Sequence, residues 1–317
     1  MVRVDEAAVT TAVKERVMVT KGTIKAWKRD LVGRGTVAAV SPRPARYVYA
    51  IGGTASKQVE RFHLQTRRWE TCTPLSAVSG YYPAALVLKD HLYAMGGGRG
   101  PTAMERFSET ANAWEACAAI PRAKYPAAAT AVGCKAYVLC GQQLDCFDPD
   151  TGTWETLPDA PSPHNCGALA TYDQFLFALG NWAPASAIVD RYDTLRRVWE
   201  RRAPMPMPRA FCGATLLHEQ IYVVGSTDDS GSTAQATVLR YDPTTDVWDG
   251  TGCAPLPTPR CGLAVCTVND ERILAIGGWT GGCNDLATME EYDPGTNSWS
   301  TCPSMSTGRN QLAGACM

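Results

Sequence analysis

Short apolar runs alternate with clusters of turn-forming residues along most of the chain. Six of these runs end at a glycine, or at the position that glycine occupies in the other runs. The six runs cover residues 49–53, 93–97, 137–141, 177–181, 222–226 and 274–278. Apolar runs of this length, bounded by turn residues, are typical of buried β-strands. The hydrophobic pattern therefore predicts an all-β protein.

An aromatic residue follows each apolar run, and a tryptophan follows that aromatic residue seven positions later. The pairs are Phe62 and Trp69, Phe107 and Trp114, Phe147 and Trp154, Tyr192 and Trp199, Tyr241 and Trp248, and Tyr292 and Trp299. The tryptophans recur at intervals of 40 to 51 residues. A fixed offset at such a period indicates one supersecondary unit that is copied six times.

Each repeat unit holds four predicted strands, named a to d. Strand a is rich in small residues, as in 83–87; strand b ends at the glycines, strand c carries Phe or Tyr, and strand d carries Trp. Turn residues such as those at 148–152 separate c from d. Four strands per repeat at this period predict a six-bladed β-propeller with four antiparallel strands in each blade.

The two ends of the repeat region predict how the ring closes. Residues 305–316 read as a strand a with no b, c or d after them, whereas the first unit has b, c and d from Tyr47 onward. We expect this C-terminal strand to supply the inner strand of the first blade, because its lead-in repeats the pattern at Arg209 and Arg260. Residues 36–40 remain an alternative for the same role.

The glycine pair, the aromatic residue and the tryptophan together resemble the Kelch repeat, over about residues 46–317. The lead-ins Pro208–Arg209 and Pro259–Arg260, and the closing strand after Gly308–Arg309, are similar to the Kelch region of BTB–Kelch proteins. These proteins are substrate adaptors of cullin-based ubiquitin ligases, and their Kelch face captures short peptides that are often acidic. The resemblance thus implies a protein-interaction module, with substrate recognition for a cullin-type ligase as its expected role.

Two alternatives to a role as a ubiquitin-ligase substrate adaptor stay open. One is a cytoskeletal or nuclear scaffold that uses the same face without ubiquitin chemistry. The other, less favoured, is a sugar mutarotase-type enzyme that uses the central channel. Only about 45 residues precede the predicted propeller, fewer than a BTB domain of roughly 100 residues needs. Cullin recruitment is therefore not expected from this chain alone.

Charge divides the chain into a basic start and a slightly acidic remainder. Residues 1–35 contain eight Lys or Arg and four Asp or Glu. We interpret 1–45 as a basic tail or linker, with a short helix at 5–19, and 46–317 as the propeller. The basic segment is too sparse to predict nucleic-acid binding.

No apolar run has the length of a membrane helix and no signal-peptide core is present, so we expect a cytoplasmic protein, with the nucleus as the alternative.

Catalytic and metal chemistry find little support in the residue pattern. A carboxylate stands two residues before the strand-c aromatic in five units: Glu60, Glu105, Asp145, Asp190 and Glu290. A register shared by five units indicates architecture, and we expect these carboxylates to pair between neighbouring blades. The four histidines are scattered, and the thirteen cysteines show no metal-type spacing. We therefore expect a protein that is not an enzyme and holds no metal or cofactor; Cys261, beside Arg260, is the nearest candidate for a redox thiol.

The candidate binding site lies where the b–c and d–a connections meet, because alternating strand directions bring them to one face. A basic residue begins strand a in five units, and aromatic or amide residues adjoin it. The predicted partner-binding residues are Tyr81, Tyr82, Arg99, Lys124, Tyr125, His164, Asn165, Trp182, Arg209, Arg260, Trp279, Arg309 and Asn310. Arginine offers a planar donor fork to carboxylates, so a protein or peptide ligand of acidic character is one expected partner. The alternative is that these arginines bond only to loop carbonyls.

Overall fold

The structure, a computed structural model, describes residues 44–317 apart from residues 55, 79, 99, 229, 283 and 284. The predicted helix at 5–19, the alternative closing strand at 36–40 and the candidate residue Arg99 lie outside the described residues. The boundary between a tail that ends at residue 45 and a propeller that begins at residue 46 stays a prediction.

The described residues form strands and no helix. The strands are β1 (Tyr47–Ile51), β2 (Val59–His63), β3 (Arg68–Cys72), β4 (Ala84–Leu88), β5 (His91–Met95), β6 (Met104–Ser108), β7 (Ala113–Ala116), β8 (Ala128–Val132), β9 (Lys135–Cys140), β10 (Gln143–Asp148), β11 (Thr153–Thr156), β12 (Ala168–Tyr172), β13 (Phe175–Asn181), β14 (Ser186–Asp193), β15 (Val198–Arg201), β16 (Gly213–Leu217), β17 (Gln220–Thr227), β18 (Ala234–Asp242), β19 (Val247–Asp249), β20 (Ala264–Val268), β21 (Arg272–Ile276), β22 (Met289–Asp293), β23 (Ser298–Cys302) and β24 (Ala313–Cys316).

These strands form six sheets, each of four antiparallel strands, which we number blades 1 to 6 in chain order. Blade 1 has the strand order β24-β1-β2-β3, and blades 2 to 6 consist of β4–β7, β8–β11, β12–β15, β16–β19 and β20–β23. The first strand in each order is strand a, which contacts strand a of both neighbouring blades. The six inner strands therefore surround a central axis, and the predicted six-bladed β-propeller is confirmed.

Blade 1 is built from both ends of the described chain. Strand β24 pairs antiparallel with β1, so that Ala313 lies opposite Ile51 and Cys316 lies opposite Val48. The backbone N–H of Met317 donates to the Tyr47 carbonyl at 2.8 Å and extends the pairing. Closure of the ring by the C-terminal strand, the favoured prediction, is confirmed.

The aromatic residue and the tryptophan of each repeat lie directly opposite each other on strands c and d. Their ring centroids are 4.7 to 5.3 Å apart in all six blades. Each indole Nε1 donates a hydrogen bond of 2.8 to 3.0 Å to a carbonyl at the end of the preceding blade: Pro303, Thr73, Ala118, Pro158, Ala203 and Ala254. A bond of this kind contributes about 0.5–1.5 kcal/mol, so the repeated tryptophan joins blades as well as filling the space between them.

The hydrophobic core is divided among the six blade interfaces. Each of six clusters of buried side chains draws on two adjacent blades; one of them unites Val48 of blade 1 with Ile276 of blade 6. Small residues on strand a are needed because inner strands approach closely. A Cβ on Gly213 would lie 2.2 Å from Cγ2 of Val265, and a Cβ on Gly314 would lie 2.8 Å from Cβ of Ala264.

Candidate functional site

The b–c and d–a connections emerge on one face of the propeller, which we call the loop face. Residues in or next to a b–c connection pair there with residues that lead into strand a, either of the next blade or of the same blade. Ser186 forms a bridge with Arg209, and Trp279 forms a bridge with Cys261. The starts of strand a and the variable loops are thus held together by backbone contacts, as the topology predicts.

The basic side chains that precede strand a are all buried beneath this face. They are Lys124, His164, Arg209, Arg260 and Arg309, each 5% exposed or less. The five strand-c carboxylates at Glu60, Glu105, Asp145, Asp190 and Glu290 are equally buried. We call these ten side chains the polar ring.

Four of the basic side chains pair with a carboxylate of their own blade. The pairs are Arg309 Nη2 with Glu60 at 2.6 Å, Lys124 Nζ with Asp145 at 2.8 Å, His164 Nε2 with Asp190 at 3.1 Å, and Arg260 Nη2 with Glu290 at 2.9 Å. Each pair spans from the start of strand a to strand c of the same sheet. The polar ring therefore holds the individual blades together at the loop face.

Two expectations about these residues are wrong. The carboxylates do not pair between neighbouring blades, and the basic side chains are not exposed at the channel mouth. The physical reason is strand alternation: Glu60 lies two positions before the buried Phe62, so both side chains point to the same covered side of the sheet. A carboxylate in that position needs a partner inside the blade, and Arg309 supplies it.

In two of these pairs, the pKa of the carboxyl group is lowered although the group is buried. Burial acts to raise the pKa of Asp190, but hydrogen bonds from His164 and Arg201 outweigh it and hold the pKa below its usual range. The pKa of Asp145 is lowered in the same way, by Arg122 and Lys124 acting against burial. These carboxylates stay ionised at neutral pH.

Blades 2 and 5 depart from the pairing in opposite ways. In blade 2 a glycine, Gly80, replaces the basic residue, and the Glu105 carboxylate instead accepts hydrogen bonds from the backbone N–H groups of residues 76–78. In blade 5 the basic residue Arg209 is present, but Leu239 occupies the position of the carboxylate. Blade 2 has thus replaced the missing partner with loop donors, whereas no carboxylate pairs with Arg209 among the described residues.

Above the polar ring, a second ring of residues narrows the mouth of the central channel. It comprises the residues two positions after each strand-a start: Tyr82, Pro126, Cys166, Phe211, Gly262 and Gln311. All except Pro126 adopt positive φ, between 46° and 60°. This conformation is uncommon for side-chain-bearing residues. The six residues contribute to the lining of a cavity of about 100 Å³ on the axis.

Backbone hydrogen bonds link most of this mouth ring. Tyr82 N–H donates to Gln311 O at 3.1 Å, Gln311 N–H to Gly262 O at 2.6 Å, and Gly262 N–H to Phe211 O at 2.7 Å. The Phe211 N–H in turn donates to Cys166 O at 2.7 Å. The positive-φ turns that permit these bonds also project the side chains of Tyr82 and Phe211 over the axis.

A continuous row of four aromatic rings crosses the channel mouth. Tyr125 contacts Tyr82 with centroids 5.7 Å apart, Tyr82 contacts Phe211 at 6.0 Å, and Phe211 contacts Trp182 at 5.2 Å. These side chains come from four blades, and Tyr82 and Phe211 come from opposite sides of the ring. Tyr125 is 49% exposed and the other three are partly buried. We call Tyr125, Tyr82, Phe211 and Trp182 the aromatic row.

Sequence reasoning identified three members of the aromatic row and missed Phe211. The signal for Phe211 is its position, two residues after Arg209, which matches the position of Tyr82 after Gly80. Trp182 packs away from its own loop, against Phe211 and near Gly231 of the next blade. Its ring is therefore part of a surface shared between blades 4 and 5.

The remaining predicted residues stabilise loops on the same face. Trp279 folds back on its own loop, where Nε1 donates to the Gly282 carbonyl at 2.9 Å. Asn310 donates to the Asp285 carboxylate, and its backbone N–H donates to Thr54 Oγ1 at 2.9 Å. Asn165 and Tyr81 are partly buried beside the aromatic row. The structure thus brings the predicted residues that it describes to one face, with the basic side chains below the surface and Tyr125 exposed on it.

The described part of the chain offers few candidates for a metal site, a membrane-spanning helix or a reactive thiol. No group of three or more His, Cys, Asp or Glu side chains there is arranged to hold a metal ion. No helix of the described residues has the length and hydrophobicity needed to cross a membrane. Burial raises the pKa of the Cys261 thiol to about 12, which does not favour a reactive thiolate.

The fold and the repeat together define the class of protein: the chain is a six-bladed β-propeller whose repeats are similar to the Kelch motif. The Kelch motif model matches residues 208–249 and 259–306. The solved structure of YjhT superimposes with a TM-score of 0.70 over 85% of this chain and 97% of that chain. At 14% sequence identity, that likeness shows the fold alone.

Curated relatives include kelch-like proteins. The human Kelch repeat and BTB domain-containing protein 13 is 32% identical over 115 residues, which are 32% of this chain and 25% of the relative. Human Kelch-like protein 23 is 25% identical over 205 residues, 59% of this chain and 36% of the relative. Beta-scruin of Limulus polyphemus is 29% identical over 202 residues, 55% of this chain and 22% of the relative. The chain spans only about a quarter to a third of these relatives, and the similarity supports a protein-interaction module.

Proposed function

We propose that the chain is a protein-interaction module whose loop face captures a peptide or protein partner through the aromatic row. Within a longer protein or complex, this capture would recognise substrates for a cullin-type ubiquitin ligase. The aromatic row is the observation that carries the proposal. Tyrosine and tryptophan are enriched among the residues that dominate binding energy at protein interfaces.

The position of the aromatic row favours a binding role over a packing role. The six aromatic–tryptophan pairs of the repeat already fill the blade interfaces, so the rings at the mouth are additional to the core. Tyr125 and Met207 are large apolar side chains left exposed on this face, at 49% and 38%. Residues on loops that a rigid scaffold positions are frequent binding residues. The partner is expected to place an apolar or aromatic side chain against the row.

The buried polar ring changes the expected chemistry of recognition. Four of the five basic side chains bond to carboxylates of their own blade, and this leaves a partner little unpaired positive charge to meet at the strand-a starts. Apolar and aromatic contact is accordingly proposed as the main source of affinity. A contribution from acidic groups of the partner is left to Arg209, which has no carboxylate partner among the described residues.

The experiment is affinity enrichment with mass spectrometry from cell extract, comparing the wild-type chain with Tyr125→Ser and with Phe211→Ser. Leu195→Ser is the matched control, because Leu195 is an exposed apolar residue, 60% exposed, in the turn between strands c and d on the opposite face. Thermal unfolding of every variant shows whether it remains folded. The proposal expects partners that are lost from the aromatic-row variants and retained by the control.

Equal partner sets for all folded variants would overturn the loop-face assignment. The ligase role has a separate readout, which is the cellular abundance of each captured partner. Substrate recognition predicts that abundance rises when Tyr125→Ser replaces the wild type in cells. Stable abundance of partners that still depend on Tyr125 would contradict the ligase role and favour a scaffold.

A further inference from the structure

Two cysteines face each other at the junction where the ring closes. Cys266 lies on β20, the inner strand of blade 6, and Cys316 lies on β24, the inner strand of blade 1. Both thiols are free, and both side chains pack in the cluster of buried residues between these two blades. A hydrogen bond between the two thiols raises the pKa of Cys316 above its ordinary value, and burial adds to the rise. The two sulfur atoms are therefore neighbours across the blade interface.

The register of the inner strands accounts for this contact. Strands β20 and β24 both begin at the loop face, so they run side by side in the same direction. A Cβ on Gly314 would lie 2.8 Å from Cβ of Ala264, and the two cysteines are each two residues further along these strands. Because alternate residues of a strand share one side, the cysteines repeat the close approach of Gly314 and Ala264.

Hydroxyl pairs occupy the same register at two other blade junctions. One residue of each pair is six positions after the basic residue that precedes strand a, and the other is seven positions after the corresponding residue of the next blade. Cys266 and Cys316 have these same offsets from Arg260 and Arg309. The hydroxyl pairs are Thr130 with Thr171 and Thr215 with Thr267, whose Oγ1 atoms are 2.6 and 2.8 Å apart. Sulfur atoms in this register need only small side-chain rotations to reach the roughly 2.05 Å of a disulfide bond.

The junction between blades 6 and 1 is also where a covalent bond has the most to hold together. In blades 2 to 6, strand a continues through a short turn into strand b, whereas all the other strands separate β24 from β1 along the chain. Strand β24 is thus held in blade 1 by hydrogen bonds and packing. At the loop face, the Gln311 N–H donates to the Gly262 carbonyl and joins blades 1 and 6. The cysteine pair lies toward the other end of the same two strands.

We propose that Cys266 and Cys316 are an oxidative modification site, at which a reversible disulfide bond ties the closing strand β24 to blade 6. The proposal is independent of partner capture, since neither cysteine belongs to the aromatic row. The site was not predicted from the sequence, because the two residues are on different strands and show no motif spacing. The disulfide would fasten the ring at the one blade where strand a and strand b are not joined by a turn.

The oxidant in this proposal is a peroxide. Cys316 is partly exposed and Cys266 is 8% exposed, so we expect Cys316 to react first. Its thiolate attacks one peroxide oxygen and becomes a sulfenic acid, and the other oxygen leaves as water after taking up a proton. The Cys266 sulfur then attacks the sulfenic sulfur and displaces a second water molecule. Two thiols thereby lose two electrons and hydrogen peroxide gains them. The raised pKa of Cys316 keeps the thiolate scarce at neutral pH, and we expect the reaction to be slow.

The first test locates the bond. The reduced chain is treated with hydrogen peroxide at pH 8, the remaining thiols are alkylated, and tryptic peptides are analysed by mass spectrometry without reduction. The expected product links peptide 261–272 to peptide 310–317 within one chain. Cys134 is exposed, and its loss of alkylation reports that the oxidant has reacted. A folded wild type in which Cys134 is oxidised and the link is absent would overturn the proposal.

Three variants assign the link to the two thiols. Cys261→Ser removes the other thiol of peptide 261–272 and is expected to leave the link in place, whereas Cys266→Ser is expected to abolish it. The matched control is the double variant Cys266→Thr with Cys316→Thr, which places at the closing junction the hydroxyl pair found between blades 5 and 6. A link that forms equally well in chains unfolded in urea would contradict a site created by the native register.

The second test measures what the bond does. A native disulfide typically raises the folded-to-unfolded ratio about 30- to 900-fold. Urea unfolding is therefore compared for the reduced and the peroxide-treated wild type, and for the double threonine variant treated in parallel. We expect a gain in stability in the wild type that dithiothreitol reverses and that the double variant lacks. Equal stability of the reduced chain and the chain with the mapped link would show that the bond does not fasten the ring, and would reject the proposal.

Discussion

The loop face has two layers that use similar residue types differently. In the lower layer, the polar ring turns basic side chains inward to carboxylates of the same blade. In the upper layer, the aromatic row turns side chains outward across the channel mouth. The residues of the two layers are only one or two positions apart in sequence, as with Arg209 and Phe211, and a positive-φ turn separates their directions.

This contrast shows that a position next to the loop face does not make a side chain exposed on it. The sequence position of Arg309 predicts a place at the mouth, yet its guanidinium bonds to Glu60 and to backbone carbonyls of blade 1. Tyr125 begins from a similar position and reaches solvent. We therefore expect substitutions in the lower layer to change stability and substitutions in the upper layer to change binding.

The largest effect on stability is expected from Arg309→Met. The substitution leaves the Glu60 carboxylate buried without its partner at the point where the ring closes, and breaking a buried pair in this way costs roughly 3–5 kcal/mol. Urea unfolding measures the loss. The double variant Arg309→Met with Glu60→Leu should recover most of it; a single variant as stable as the wild type would contradict a structural role for the pair.

A smaller effect is expected from Trp69→Phe. Phenylalanine keeps an aromatic ring opposite Phe62 but removes the hydrogen bond from Nε1 to the Pro303 carbonyl of the preceding blade. The lost bond and the smaller ring together should cost about 1–3 kcal/mol in urea unfolding. Tyr292→Phe serves as a control within the same motif, since it removes a hydroxyl and leaves the indole bonds of the neighbouring blades in place.

A pH dependence follows from the lowered pKa of Asp190 and Asp145. Because these carboxylates ionise more readily in the folded state, their contribution is fully present above the unfolded pKa of about 3.9 and is lost as pH falls through the lower folded value. A carboxyl pKa that is one pH unit lower in the folded state than in the unfolded state stabilises the fold by about 1.4 kcal/mol. Stability measured between pH 5 and pH 2 should fall, and Asp190→Asn should fall less steeply than the wild type does.

Sequence patterns were sufficient to predict the fold because the same strand pattern occurs in six repeats. The seven-residue offset between Phe62 and Trp69, copied in every blade, reflects two residues that face each other across strands c and d. The lone strand at 305–316 likewise matched the missing inner strand of blade 1. Each of these signals is local, and each depends on strand geometry alone.

The site was only partly predictable because its arrangement depends on contacts between distant residues. Glu60 lies two positions before Phe62 on the same strand, and this spacing does imply that the carboxylate is buried. The sequence does not show, however, that Arg309, 249 residues away, is its partner. The aromatic row depends on positive-φ turns and on backbone hydrogen bonds between blades, and neither produces a periodic pattern in the sequence. Phe211 was therefore not predicted, although its position matches that of Tyr82.

The smallest effect on stability is expected from Tyr125→Ser. The Tyr125 ring is half exposed, and it packs against Tyr82 and the loop at Gly98. Surface substitutions of this kind usually change the free energy of unfolding by less than about 0.5 kcal/mol. Urea unfolding checks this value. A decrease in the free energy of unfolding of more than about 2 kcal/mol would show that Tyr125 stabilises the fold and would contradict its assignment to the upper layer.

The most direct measurement of the two-layer arrangement is the affinity of a captured partner for the double variant Arg260→Met with Glu290→Leu. This variant replaces a buried charge pair with apolar side chains, an exchange that often preserves the fold. It also removes a basic residue that the sequence assigned to partner binding. We predict that a folded double variant binds the partner with wild-type affinity, while Tyr125→Ser does not. Loss of binding by the folded double variant would contradict the separation of the two layers and return Arg260 to the binding surface.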